Sequence, residues 1–187
     1  MNYVDFVNAV TSLPSQYTKD FTTLLHKLDS GVPISRLLTA AIGMSSEAAE
    51  FMELESSYSQ DTKHKLIELG DILWYVAQGA LALNLDMPAP SLNASTSYTA
   101  SVSLVLTSGK FLELVKKLVF QGKPWSLELR QELTSLLEEV ATLVEVAAQG
   151  LGHNSEEVKA MNVTKLQNRY PEGFDAYMSE NRKIGDL

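Results

Sequence analysis

Two pairs of acids, Glu47-x-x-Glu50 and Glu68-x-x-Asp71, each stand inside an otherwise apolar stretch of helical period. Residues three apart on a helix are neighbours on one face, so each stretch can aim two carboxylates the same way. Two such helices packed antiparallel bring all four together. Anions gathered in one place repel, and burying them is costly unless something compensates their charge. A divalent cation does so, and Mg²⁺ in particular favours carboxylate, water and phosphate oxygens. The acids therefore point to a metal site that handles a nucleotide phosphate chain, with Glu47, Glu50, Glu68 and Asp71 as candidate ligands.

The rest of the chain supplies helices to carry them. An apolar stripe from Leu37 to Met52 predicts a first long helix over 35–55, and Leu66, Leu69, Ile72, Leu73 and Val76 predict a second over 62–85. Gly70 falls inside the second, where it costs ~1 kcal/mol relative to alanine, so a close approach by another group is expected there. Residues 87–100 are rich in Pro, Ser, Thr and Asn and form a linker. A third helix is expected over 101–120, and a fourth from an N-cap at Ser126 to Gln149. A fifth starts at a cap on Asn154 or Ser155 and stops before Pro171. Upstream, Tyr3, Phe6, Val7 and Val10, then Phe21, Leu24, Leu25 and Leu28, have the spacing of helices that cover the core. No strand pattern is present. The fold class is all-α: a four-helix bundle core with flanking helices, in one domain over 1–187.

At 187 residues and 45% hydrophobic content the chain can bury a core. It has no cysteine, which excludes disulfides and thiolate metal sites. A net charge of -8 argues against duplex nucleic-acid binding but not against a small phosphorylated substrate. With neither a signal-peptide pattern nor an apolar run of about 18 residues, the expectation is a cytoplasmic protein without a membrane partner.

The two halves resemble each other. Glu68-Leu69-Gly70-Asp71-Ile72-Leu73 aligns with Glu132-Leu133-Thr134-Ser135-Leu136-Leu137, and Gly43 and Glu47 align with Gly109 and Glu113. In that register Lys116 replaces Glu50 and Ser135 replaces Asp71. Residues 34–86 are then a first repeat with the acids intact. Residues 101–174 are a second repeat, degenerate in its acids, and the chain is a tandem pseudo-dimer of two helical hairpins. One chain can then complete the bundle, and a homodimer remains compatible with it.

Gly43-Met44-Ser45-Ser46-Glu47-Ala48-Ala49-Glu50, followed after a turn by Glu68-Leu69-Gly70-Asp71-Ile72-Leu73-Trp74-Tyr75, resembles the MazG-like nucleotide pyrophosphohydrolases of the all-α NTP pyrophosphatase superfamily. The segment Asn162-Val163-Thr164-Lys165-Leu166-Gln167-Asn168-Arg169-Tyr170-Pro171-Glu172-Gly173-Phe174 is similar to a second signature of that family, and Gly109 to Gly122 resembles its first core helix and loop. The ordinary member is shorter, carries acids and basic motif in one copy, and dimerises. Here the first half holds the acids and the second the basic segment, so the halves are expected to complement each other.

The resemblance implies Mg²⁺-dependent cleavage between the α and β phosphates of a (d)NTP, giving the monophosphate and pyrophosphate. It implies Glu47, Glu50, Glu68 and Asp71 as ligands, with Glu47 or Glu50 as the alternative acceptor of the proton from the attacking water. Related all-α dUTPases and dCTPases keep those substrates open.

For the phosphates, Lys116 is the inward-facing candidate of the Lys116–Lys117 pair, since neighbours on a helix diverge by about 100°. Lys165 and Arg169, four apart, share a face, and Arg grips phosphate bidentately. Asn162 lies on that same face and can reach phosphate or sugar. Trp74, Tyr75 and Phe120 either stack on a base or pack in the core. Glu53 and Glu55 read as a solvated face. His26, His64 and His153 have no partner at metal-ligand spacing and read as surface or loop residues. Two other classes stand beside the enzyme: a catalytically reduced nucleotide- or alarmone-binding regulator of the same fold, and a structural interaction protein. The intact acid quartet favours the enzyme.

Overall fold

A computed structural model describes residues 2–29, 31–91 and 99–181. Among them are nine helices and no strand: α1 (Tyr3–Val10), α2 (Leu13–Gln16), α3 (Thr18–Asp29), α4 (Ile34–Ser56), α5 (Thr62–Ala82), α6 (Ala100–Phe120), α7 (Leu127–Gly150), α8 (Ser155–Arg169) and α9 (Ala176–Glu180). The all-α expectation holds, and the long helices begin and end close to where their periodicity places them.

The caps explain several boundaries. Asp61 accepts from the His64 backbone N–H at the start of α5, and Ser126 from that of Leu129 at the start of α7. Of the two candidates for α8, the cap is Asn154, which forms a reciprocal capping box with Glu157. Past the end of α7, Gly152 takes φ +83°, a conformation open to glycine at little cost.

Four long helices make the core. Along α4 and α5, Arg36 donates to Gln78 at 2.9 Å, Gly43 faces Tyr75, and Glu55 pairs with Lys65 at 2.6 Å. Numbers that rise on one helix as they fall on the other define an antiparallel hairpin. α6 and α7 form a second one, linked by Thr107 to Glu139 at 2.9 Å and Lys123 to Glu132 at 3.8 Å. The hairpins pack on each other through α4 against α6 and α5 against α7. At the α5–α7 seam, Gly79 leaves room for the Leu137 side chain, and Arg130 donates to the Leu83 carbonyl at 2.6 Å, satisfying a helix-end acceptor. Leu37, Met44, Leu69, Ile72, Phe111 and Leu137 are among the fully buried side chains.

The flanking helices divide. On α3, Phe21, Leu24, Leu25 and Leu28 pack against the core, and Phe21 stacks on Phe120 with centroids 5.7 Å apart. α1 does not cover the core: it has no buried residue, and Tyr3, Phe6, Val7 and Val10 are exposed. Its apolar period identifies a face, but no described element packs on that face. The expected linker lies partly outside the described residues, at 92–98. Before that gap, Ser91 donates its backbone N–H to Thr142 of α7 at 2.9 Å. No helix among the described residues is long and apolar enough to cross a membrane.

Candidate functional site

The antiparallel register of α4 and α5 brings Glu47, Glu50 and Glu68 together. Each offers an oxygen, and these atoms lie within 4.8 Å of one another. Glu68 is 5% exposed, Glu47 is half-buried and Glu50 faces solvent. An octahedral cation with bonds of about 2.1 Å separates opposite ligands by roughly 4.2 Å, comparable with the spread of these oxygens. The donor set is oxygen only, which suits that hard cation.

Close packing of these acids shows in their electrostatics. Burial, then the charges of Asp71, Glu50 and Glu68, push the Glu47 carboxyl up to about 8. Burial first, then Glu50, also raises Glu68, while its hydrogen bond with Glu47 acts in the opposite direction. Burial and mutual repulsion thus push both carboxyls of this hydrogen-bonded pair upward.

Asp71 has a different environment. Both its oxygens are engaged by α8: Asn162 Nδ2 donates to one at 2.8 Å, and Lys165 Nζ to the other at 2.5 Å. The close approach expected at Gly70 is this one, because a Cβ there would lie 3.0 Å from the Asn162 Cβ. Thus Asn162 and Lys165, 91 and 94 residues from Asp71 in sequence, meet it across the α5–α8 contact. Their partner here is a carboxylate.

The remaining candidates are more scattered. Lys116 pairs with Glu113, one turn back on its own helix, and so does Lys117 at 3.3 Å. The repeat register had placed Lys116 opposite Glu50. Arg169 lies over the Tyr170 ring, 6.0 Å from its centroid. Trp74 is 38% exposed and meets Tyr75 edge-on at 4.8 Å, so it is not a core residue. Phe120 is accounted for by its stack on Phe21.

Two residues gain a place that their sequence pattern had not suggested. Tyr75 lies flat over Gly43, whose missing side chain makes room for the ring; a Cβ there would lie 2.1 Å from a ring carbon. Burial, then the charges of Glu47, Asp71 and Glu50, raise the Tyr75 hydroxyl, so it stays a neutral donor at the edge of the acids. His64 is not an isolated surface residue, since its Nε2 lies 2.9 Å from Glu68 Oε1. The four-residue spacing from His64 to Glu68 was the available signal.

No family model, curated protein or solved structure matches the chain.

Proposed function

We propose that the protein is a Mg²⁺-dependent, MazG-like nucleotide pyrophosphohydrolase that converts a (d)NTP to its monophosphate and pyrophosphate. One observation carries this reading: Glu47, Glu50 and Glu68 converge from two helices into a partly buried all-oxygen cluster whose protonation is strongly perturbed. Solvated acids on a helix surface have neither property.

In this reading Glu47, Glu50 and Glu68 hold the cation, and Asp71 completes the acidic wall. A cation held there would neutralise phosphate charge and lower the pKa of the attacking water. The chain's own residues do the rest. Lys165 and Asn162, fixed against Asp71 by α8, lie where they can exchange that carboxylate for phosphate oxygens. The neutral Tyr75 hydroxyl donates to an oxygen of the substrate. One of Glu47 and Glu50 accepts the proton of the attacking water in place of holding the cation. The exposed face of Trp74 offers a surface for a base. The α6–α7 hairpin is a degenerate copy that serves as scaffold and delivers α8.

The test is pyrophosphate release from a panel of canonical and modified (d)NTPs, with and without Mg²⁺, for wild type, Glu50→Gln and Asp71→Asn. Metal-dependent release that both substitutions abolish supports the enzyme. If no triphosphate is cleaved while Mg²⁺ and nucleotide still bind, the chain is the regulatory binder of the same fold.

A further inference from the structure

His64 occupies the third position of α5, and its backbone N–H is held by the cap residue Asp61 at 2.9 Å. The capped first turn thus sets the base from which the imidazole projects. One turn on, its Nε2 meets Glu68 Oε1 at 2.9 Å. Because the acceptor is a carboxylate, Nε2 carries the hydrogen and donates it. His64 is partly exposed, whereas Glu68 is the most buried of the three clustered glutamates. The bond therefore pins the acid least able to reorient through solvent.

A carboxylate can grip a cation with one oxygen or with both. Larger Ca²⁺ accepts two-oxygen grips within a shell of six to eight ligands, whereas Mg²⁺ demands a tight octahedron. Hydrogen bonds from neighbouring residues orient ligating carboxylates and tune affinity.

We propose that His64 is a positioning residue that reserves Oε1 of Glu68, leaving a one-oxygen grip that favours Mg²⁺ over Ca²⁺. The proposal rests on the metal reading of the cluster, and it adds the determinant of metal choice.

The experiment is calorimetric titration of the full chain with MgCl₂ and, separately, CaCl₂, without nucleotide. It compares wild type with His64→Leu, His64→Gln and His64→Asn, with circular dichroism to establish which variants are folded. A glutamine amide reaches the Nε2 position from the same backbone site, whereas the shorter asparagine falls short. His64→Leu and His64→Asn should bind Mg²⁺ about 10–100-fold more weakly, and their Mg²⁺-to-Ca²⁺ affinity ratio should fall. His64→Gln should restore both. Should the leucine variant fail to fold, the contrast between Gln and Asn decides alone. Equal behaviour of Gln and Asn, or wild-type affinity and selectivity in both, overturns the role of His64 and leaves the metal reading standing. A wild-type chain that binds neither cation overturns both.

Discussion

The α4–α5 and α6–α7 hairpins share a build but use their acids in opposite ways. In the first, Glu47, Glu50 and Glu68 turn toward one another, so that burial and mutual repulsion push the Glu47 carboxyl upward. In the second, Glu113 and Glu132 have side chains 42% and 56% exposed, and lysines of the same hairpin stand beside them. The Lys116 ammonium, hydrogen-bonded to Glu113, holds that carboxyl below its ordinary value. A helical hairpin thus needs no acid cluster in order to fold. The first hairpin holds one against an electrostatic cost, and the proposed function rests on that cost.

The sharpest way to break this contrast is activity. Glu47→Gln or Glu68→Gln should lower Mg²⁺-dependent pyrophosphate release at least ~100-fold, whereas Glu113→Gln and Glu132→Gln should leave it within about twofold, since exposed ion pairs contribute little. Equal losses in both hairpins would remove the distinction.

The aligned glycines offer a second comparison. Gly43→Ala drives a methyl into the Tyr75 ring and should cost about 1–3 kcal/mol in urea unfolding. Gly109→Ala meets nothing within 4 Å and should stabilise by up to ~1 kcal/mol through helix propensity. A third variant, Lys165→Met, leaves Asp71 with Asn162 alone and should cost about 1–3 kcal/mol, measured the same way.

A further comparison is one of pH dependence. Glu47 binds its proton more tightly folded, near 8, than at its ordinary value of 4.5. Between those values the native state holds more protons than the unfolded one, so its contribution to stability is full below pH 4.5 and declines as pH rises to 8. Glu113 works the other way: its contribution is present above its ordinary value and is lost as acid protonates it. Melting temperature of the metal-free protein should therefore decline over pH 5–8 in wild type, less steeply in Glu47→Gln, and Mg²⁺ should reduce the slope by displacing the proton.

Much of this was legible in the sequence because helices announce themselves locally. Period, caps and breakers placed α4 to α8, and three-residue spacing paired the acids before any contact was known. The failures were of partner choice. The repeat register equates the positions of Lys116 and Glu50 but does not say which acid a lysine meets, and Lys116 pairs with Glu113, one turn away on its own helix. His64 reads as a surface or loop residue when only metal-ligand spacings are sought, although a glutamate stands four residues on. Tyr75 owes its position to an absent side chain on another helix, which no pattern around Tyr75 itself encodes. The apolar face of α1 was visible, but amphipathicity does not say what covers a face.

The bond between Asp71 and Lys165 also has a temporal side. The two residues are 94 apart in the chain. At a synthesis rate of roughly 5–20 residues per second, Lys165 is added some 5–20 s after Asp71. During that interval the chain lacks the ammonium that later engages Asp71, so this contact between α5 and α8 closes only after α8 has been made.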